Sequence, residues 1–408
     1  MTSSENIDEQ KTGGPLAGLR VVEMGTLIAG PFCGQLLGDL GAEVLKVEAP
    51  GAGDPMRNWG QVKRNGQSYW WSVIGRNKKS ITLNLREKEG QEIARDLIKT
   101  ADILVENFRP GTMEKWGLGY DVLSADNPRL IMARISGYGQ DGPYSRRAGF
   151  GLIGEAMGGL RHVTGYPDRP PTRIGISIGD SLTATFAALG CLAALRSRDI
   201  TGRGQIVDSA LYESVLAMME SLVPEYCGEG HQRDRSGAIL PKIAPSNVYP
   251  CANGDSILIA ANQDTVFARL CELMDRNEFL DDPRFCDHVA RGENQELIDD
   301  IISKWSEPQA AEDLLQALDE AGVPAGKIFQ VKDMIDDPQF LSRKALIDVE
   351  TPGLGKVKMQ NVVPKLSDTP GQVRSPAPEL GQHTQSILED YLNLSSEQID
   401  VLRTRKIV

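Results

Sequence analysis

One carboxylate in the sequence has unusually open surroundings. Asp180 lies in the glycine-containing run of residues 175–181, GISIGDS, directly before an apolar segment, 181–197, that predicts a helix. A carboxylate at a helix N-terminus stays ionised because the helix dipole and nearby N–H groups stabilise its charge. With little steric cover, such a group can attack an activated acyl carbon. The same position also suits a purely structural N-cap, and the spacing does not choose between these two roles.

Basic residues are concentrated in the first third of the chain. They are Lys63, Arg64, Arg76, Lys78, Lys79, Arg86, Arg109 and Lys115. Several lie next to predicted strands, so we expect cations on one side of a sheet, where arginine can bind phosphate through two hydrogen bonds. The alternative for Lys63 and Arg64 is an ordinary solvated surface. The turn 107–111, NFRPG, is more specific, because it places Asn107 and Arg109 at the carboxyl end of a predicted strand.

Other sequence features argue against nucleotide-binding loops, a metal site and serine-hydrolase chemistry. The turn 25–30, GTLIAG, continues into Pro31 and matches neither a P-loop nor a dinucleotide fingerprint, so we interpret it as tight packing of a strand against a helix. The four histidines (His162, His231, His288 and His383) have no metal-ligand spacing, and we expect no metal site. No serine-hydrolase GxSxG motif is present. The six cysteines form no CxxC pair, which favours reduced thiols.

Composition narrows the class of protein. The chain has 408 residues, a formal net charge of −12 and 40% hydrophobic residues, which fits a globular protein of two to three domains. The acidic balance argues against nucleic-acid binding. Residues 1–14 lack the basic start and apolar stretch of a signal peptide, and no apolar run of about 18 uncharged residues predicts a membrane span. We therefore expect a cytoplasmic protein with no membrane or nucleic-acid partner.

Alternating apolar patterns predict the elements that position these groups. Strands are expected at 19–24, 43–48, 80–85, 102–106 and 130–135, and helices at 31–40 and 87–100. This alternation indicates a doubly wound parallel sheet, in which ligands bind at the carboxyl ends of the strands. Residues 136–171 are expected to be irregular, and 206–219 to continue as helix. We predict a large domain over 1–226, a smaller α/β domain over 227–335, and a C-terminal segment, 336–408.

Eight ordered segments resemble those of the family III CoA-transferases, the formyl-CoA and carnitine CoA-transferase type. They are 16–23 (LAGLRVVE), 38–48 (GDLGAEVLKVE), 76–81 (RNKKSI), 105–111 (VENFRPG), 137–143 (GYGQDGP), Gly179-Asp180, 201–205 (TGRGQ) and 375–384 (SPAPELGQHT). The resemblance extends over nearly the whole chain from Leu16. It is specific for the superfamily and not for a substrate.

The resemblance implies a fold and a set of site residues. The fold is a large Rossmann-like domain, to which the C-terminal segment returns, plus a smaller α/β domain, with two ring-shaped subunits interlocked as a homodimer. Asp180 matches the catalytic aspartate, and Ala49 stands where a family member has arginine. The CoA-contacting segments match Leu83, Asn84, Leu85, Arg86, Asn107, Phe108, Arg109, Lys115, Gly137, Tyr138 and Gly139.

The implied activity is transfer of CoA from an acyl-CoA donor to a carboxylic acid through a covalent aspartyl-CoA thioester, with CoA as a substrate and no permanently bound cofactor. The α-methylacyl-CoA racemases share the aspartate but need a second acid/base, a histidine that follows Ala-Gly. This chain has Phe150 there, after Ala148-Gly149, and phenylalanine transfers no proton. We therefore expect transfer. A non-catalytic CoA-binding protein is the other alternative.

The similarity also favours succinyl-CoA as donor and a dicarboxylate or hydroxy-acid as acceptor. Five arginines precede Asp180 and are candidates to hold a distal carboxylate: Arg146, Arg147, Arg161, Arg169 and Arg173.

Overall fold

In the computed structural model, residues 13–408 are described. The twelve N-terminal residues, on which part of the signal-peptide argument depends, lie outside them. The strands are β1 (Arg20–Glu23), β2 (Glu43–Glu48), β3 (Lys63–Arg64), β4 (Gln67–Ser68), β5 (Lys78–Thr82), β6 (Ile103–Glu106), β7 (Ile131–Ser136), β8 (Ile206–Ala210), β9 (Ser246–Pro250), β10 (Ser256–Ala260), β11 (Ala325–Lys327), β12 (Leu346–Thr351) and β13 (Gly355–Gln360).

Helices connect most of these strands, mostly singly in the first part of the chain and in longer runs after β7 and β10. They are α1 (Ala29–Asp39), α2 (Tyr69–Ile74), α3 (Lys88–Lys99), α4 (Thr112–Lys115), α5 (Tyr120–Asp126), α6 (Gly151–Met157), α7 (Leu160–Val163), α8 (Ile178–Thr201), α9 (Leu211–Leu216), α10 (Leu222–Glu229), α11 (Asp264–Leu273), α12 (His288–Glu293), α13 (Gln295–Ser306), α14 (Ala311–Glu320), α15 (Val331–Asp336), α16 (Pro338–Ser342), α17 (Thr384–Leu392) and α18 (Ser396–Thr404).

The main sheet has six strands in the order β5-β2-β1-β6-β7-β8, and every neighbouring pair is parallel. The predicted α/β class with a parallel sheet is therefore confirmed. From β1 the chain builds outwards to β2 and β5, then returns to β6 on the other side of β1. This reversal makes the crevice between β1 and β6 a topological switch point, where the carboxyl ends of parallel strands receive ligands.

Both faces of this sheet are covered by apolar side chains, as the alternation predicts. One face packs under α3 and the C-terminal helices through residues such as Leu97 and Ile399, and the other packs under α1 and α8 through Leu37 and Ala187. Helix α8 is long and apolar enough to cross a membrane by length and composition. Its alanine-rich side is buried against the sheet in this core.

The prediction of a helix over residues 206–219 was wrong in its first part. Ile206–Ala210 is the edge strand β8, which pairs in parallel with β7, and the helix α9 begins only at Leu211. A segment this short carries a weak periodic signal, and pairing with an existing strand decides its conformation. Residues 136–171 also contain the two short helices α6 and α7.

The chain forms two compact units. The first contains the residues up to Leu160, Ile174–Val223 and Gln339–Val408, so the C-terminal segment belongs with the parallel sheet. The second contains Arg161–Arg173 and Pro224–Pro338. The predicted boundaries at 226 and 335 fall close to these, but the sequence placed Arg161–Arg173 in the large domain. Within the second unit this loop bonds to residues far along the chain, as in the 2.9 Å bond from Gly237 N to Gly165 O.

The second unit has its own core. Its three strands form an antiparallel sheet in the order β11-β10-β9. Tyr249, Ile257 and Phe267 are buried there together with side chains of α13 and α14.

The candidate active site

Most of the predicted CoA-contacting residues follow the carboxyl ends of three strands of the sheet. Leu83–Arg86 follow β5, Asn107–Arg109 follow β6, and Gly137–Gly139 follow β7. Because all strands of the sheet are parallel, these loops lie along one edge, as expected for a ligand site.

A cavity of about 930 Å³ opens at this edge. Leu83, Asn84, Leu85, Arg86 and Phe108 from the predicted set line it, and so does Ala49 after β2. Its apolar surface includes Met24, Val47 and Trp116, and the Trp116 ring meets Phe108 edge-on with centroids 5.0 Å apart. An apolar cavity with a few polar groups at its edge suits a cofactor-sized ligand.

Arg109 and Lys115 are not among the residues that line this cavity. Both side chains belong to exposed residues on the turn and short helix α4 that follow β6. Their assignment as CoA contacts stays a prediction.

The side chain of Asn107 makes contacts that the sequence did not predict. Its side-chain Oδ1 accepts a hydrogen bond from Thr26 N at 2.8 Å, and its Nδ2 donates to Thr26 O at 2.8 Å. The amide therefore fixes the turn after β1 to the loop after β6, across the switch point. Behind this turn, Gly25 and Gly30 approach so closely that a Cβ on Gly25 would lie 2.9 Å from Gly30 Cα. This agrees with the interpretation of the 25–30 turn as tight packing.

A buried cluster of charged side chains also supports the turn after β1. Lys46 Nζ lies 2.9 Å from Glu23 Oε1 and 2.8 Å from Asp54 Oδ2, and it also donates to Gly25 O. Burial alone would lower the pKa of Lys46, but Glu23, Asp54 and Glu48 raise it above its usual value. Lys78 Nζ approaches Glu23 Oε2 at 2.6 Å from the other side, and burial lowers the pKa of Lys78. Charges of both signs balance inside the cluster, so it positions the loop without presenting net charge to a ligand.

The expectation that the basic residues next to strands lie on one side of the sheet was wrong for Arg76, Lys78 and Lys79. Arg76, Lys78 and Lys79 lie at the amino end of β5, whereas Arg86 follows its carboxyl end. Each of the three is paired with an acid: Arg76 with Asp39, Lys78 with Glu23, and Lys79 with Glu43. The sequence does not show at which end of a strand a lysine or arginine lies. The exact strand bounds are needed to separate cations at the ligand-binding carboxyl end from cations in structural ion pairs at the amino end.

Asp180 lies in the first turn of helix α8. The helix begins at Ile178 with Ser177 as its N-cap residue, so the interpretation of Asp180 as the N-cap was wrong. Asp180 remains near the positive end of the helix dipole, which favours its ionised form. Its carboxylate lies against Gly151, where an added Cβ would fall 2.7 Å from Asp180 Cγ.

A second close approach, between two glycines, connects the residues beside Asp180 to the loop after β7. A Cβ on Gly149 would lie 2.8 Å from Gly137 Cα. Gly139, at a φ of +87° that favours glycine, donates from its backbone N to Ser136 Oγ at 2.9 Å. The structure therefore brings Asp180 and the predicted Gly137–Gly139 loop together through residues 149–151. No motif in the sequence marked Gly151 as a neighbour of Asp180.

An acid close to these loops also has an altered pKa. Glu106, buried at the end of β6, has its pKa raised to about 7 by burial, although Arg134 Nε at 2.8 Å and Phe108 N oppose this. Among residues 13–408, no group of three or more His, Cys, Asp or Glu side chains is placed to hold a metal ion.

The parallel sheet, the apolar cavity at its switch point and the aspartate beside a glycine loop define a CoA-binding enzyme of the kind that the eight segments resemble. Residues 16–384 match CoA-transferase family III. The chain belongs to this family and is a CoA-transferase, whose substrates are CoA thioesters.

Individual relatives agree with this assignment. The chain is 54% identical over 402 residues to the succinyl-CoA–D-citramalate CoA-transferase of Chloroflexus aurantiacus, covering 98% of this chain and 100% of that protein. It is 32% identical over 394 residues to the human succinyl-CoA:glutarate CoA-transferase, covering 97% and 90%. A CAIB/BAIF family protein from Brucella suis of known crystal structure superposes with a TM-score of 0.83 at 36% identity, covering 93% of this chain and 100% of that one.

Proposed function

We propose that this protein transfers CoA from succinyl-CoA to a dicarboxylic acid through a covalent thioester on Asp180. The observation that carries the proposal is the position of Asp180. Its carboxylate lies in the first turn of α8, against a residue with no side chain and next to a predicted CoA loop. An ionised carboxylate with this little cover is suited to attack an acyl carbon.

The steps balance without an external base. The Asp180 carboxylate attacks the thioester carbonyl of succinyl-CoA, forming a mixed anhydride and releasing the CoA thiolate. The thiolate attacks the aspartyl carbonyl, which releases succinate and leaves an aspartyl-CoA thioester. The acceptor carboxylate then attacks this thioester, and the thiolate released attacks the acceptor carbonyl of the new anhydride. The product is the acceptor's CoA ester, and Asp180 is regenerated.

Racemisation at an α-carbon receives no support from the residues beside Asp180. Phe150 directly precedes Gly151, is 66% exposed, and has no titratable group. A proton-transfer reaction would need a second acid/base at this position.

The names of the relatives suggest the acids involved. The citramalate and glutarate enzymes named above both use succinyl-CoA, and their acceptors are dicarboxylates. We propose a hydroxy-dicarboxylate such as citramalate as the acceptor here. Equal rates with monocarboxylic and dicarboxylic acids of the same length would contradict this assignment.

The decisive experiment is mass spectrometry after incubation with succinyl-CoA. We expect an adduct of CoA minus water on the peptide that contains Asp180, and its conversion to a hydroxamate by hydroxylamine. The Asp180→Asn variant should fold and form no adduct. A matched control is Asp121→Asn, because Asp121 is an exposed acid in the first turn of α5. An adduct on another residue, or turnover by Asp180→Asn, would refute the mechanism.

We also propose that the active form is a homodimer of interlocked subunits. Helices α6 and α9 pack together at Gly154 and Leu211, and each leaves apolar side chains exposed, including Ile153, Met157 and Leu216. Exposed apolar groups that cluster in this way are typical of an interface. Light scattering should give a mass near twice 44.5 kDa. Interlocked subunits should not exchange with a tagged copy unless they unfold, whereas a dimer in simple contact should exchange on mixing.

A further inference from the structure

The last residues of the chain form part of the wall of the cavity at the switch point. Arg403, Lys406 and Val408 line it together with the loop after β5. The segment is held firmly in place, because Ile407 is buried in the core and its carbonyl accepts a hydrogen bond from Asn84 N at 2.7 Å. Asn84 Nδ2 also donates to Lys406 O at 3.4 Å. The loop Leu83–Arg86 and the segment 403–408 are therefore one structural unit.

Most charges around the cavity are already neutralised. Lys46 is paired with Asp54, and Glu48 accepts two hydrogen bonds from Arg57, from Nε and Nη2 at 2.7 Å each. Arg403 donates to Asp400 Oδ1 at 2.9 Å and to Gln385 Oε1 at 3.0 Å. These groups hold the wall together and leave no net charge for a ligand.

Two cations remain. The side chains of Arg86 and Lys406 are exposed, line the same cavity, and form no ion pair with any residue in the described part of the chain, 13–408. The two acidic side chains that line the cavity, Glu48 and Asp54, are paired with Arg57 and Lys46, and Ala49 contributes no charge to this wall. Unpaired cations at the mouth of an apolar cavity attract the phosphates of a ligand whose ring lies inside.

We propose that Lys406, together with Arg86, binds a phosphate group of the CoA thioester. This inference rests on the proposed function, because it takes CoA as the ligand of the cavity. Lys406 is held at the cavity mouth by the docking of the C-terminal segment on Asn84. Its role is in CoA binding and leaves the covalent chemistry at Asp180 unchanged.

The test is calorimetric titration of the full-length protein with CoA, which requires no turnover. Lys406→Gln should weaken binding about threefold to tenfold, with the loss shrinking at high salt as a charge interaction is screened. Lys406→Arg should bind nearly as wild type does. Lys365→Gln is the matched control, because Lys365 is also exposed but does not line the cavity. In turnover, the KM for succinyl-CoA should rise while the KM for the acid and kcat stay constant.

A second titration with 3′-dephospho-CoA identifies the phosphate. If the effect of Lys406→Gln disappears with this ligand, Lys406 binds the 3′-phosphate; if it persists, Lys406 binds the diphosphate. Unchanged CoA affinity in Lys406→Gln would overturn the inference while leaving the transferase proposal intact. Conversely, weakened CoA binding in a protein that transfers CoA to no acid would refute the proposed function and support the role of Lys406.

Discussion

The carboxylate of Asp180 lies against the α-carbon of Gly151. A methyl group built there would fall 2.7 Å from Asp180 Cγ, closer than packed atoms tolerate, and 3.1 Å from Oδ1. Gly151 is also the first residue of α6, and Phe150 supplies its N-cap position. The residue without a side chain therefore sets the position of the carboxylate that we propose as the nucleophile.

Gly151→Ala should displace Asp180 and reduce kcat by about a hundredfold, because small misplacements of reacting groups are costly. The fold should survive, since alanine is favourable in the first turn of a helix. Activity and thermal unfolding should be measured on the same preparation. Gly228→Ala in α10 is the control, because a Cβ there meets no atom within 4 Å. Full activity in Gly151→Ala would show that the Asp180 position is not critical.

Asn107 should act on CoA binding through Thr26. Asn107→Asp keeps an acceptor for Thr26 N but places a carboxylate oxygen against Thr26 O, which we expect to cost about 1–3 kcal/mol of unfolding free energy. Loosening this turn should raise the KM for the acyl-CoA several-fold with a smaller effect on the KM for the acid.

Asn361→Asp is a matched comparison for this variant. Asn361 also accepts from a backbone N–H, of Val362, and donates to a carbonyl, of Lys344. It does not line the cavity, so its replacement should cost stability without changing the KM for acyl-CoA. If both variants alter KM equally, the Asn107 effect is global and not local to the site.

The parts of this molecule that the sequence made predictable are those with local signals. The strands at 43–48 and 102–106 are rich in valine, leucine and isoleucine, and the structure reproduces them within one residue. Asp180 was marked by its glycines and the helix that follows. The proposed contribution of Lys406 was not predictable, because it depends on a contact between Asn84 and Ile407 that spans more than three hundred residues. No local pattern encodes such a contact.

Non-local contacts also explain why Arg76 was misinterpreted from the sequence. Its basic neighbours suggested a phosphate site. Its guanidinium is buried and donates to Asp39 from Nε at 3.1 Å and from Nη2 at 2.6 Å. Arg76→Ala would leave Asp39 as an uncompensated buried charge, so we expect a loss of about 3–5 kcal/mol in unfolding free energy. Chemical denaturation should show this loss.

Arg405→Ala provides the contrast at the surface. Arg405 pairs with Glu89 at 2.7 Å, but its side chain is 56% exposed, so the expected loss is about 1 kcal/mol or less. Equal losses for the two variants would show that the Arg76–Asp39 pair is solvated in solution.

Glu43 should make the fold sensitive to acid. Burial alone would raise its pKa, but hydrogen bonds from Lys79, Tyr391 and Arg20 lower the pKa to about 2 from its ordinary 4.5. Because Tyr391 belongs to α17, this carboxylate links the C-terminal segment to the start of β2. A carboxyl whose pKa is lowered on folding stabilises the folded state fully above its unfolded pKa.

That stabilisation is lost as the pH falls from about 4.5 through about 2, since protonation breaks the three interactions. After allowance for solvent screening of the half-buried group, we expect about 1–2 kcal/mol. Glu43→Gln should lower stability by this amount at pH 7 and flatten its decline below pH 4.5. Denaturation from pH 7 to pH 3 would measure both effects, with the exposed Asp390→Asn as the control. A decline equally steep in Glu43→Gln and wild type would assign the acid sensitivity to other carboxylates.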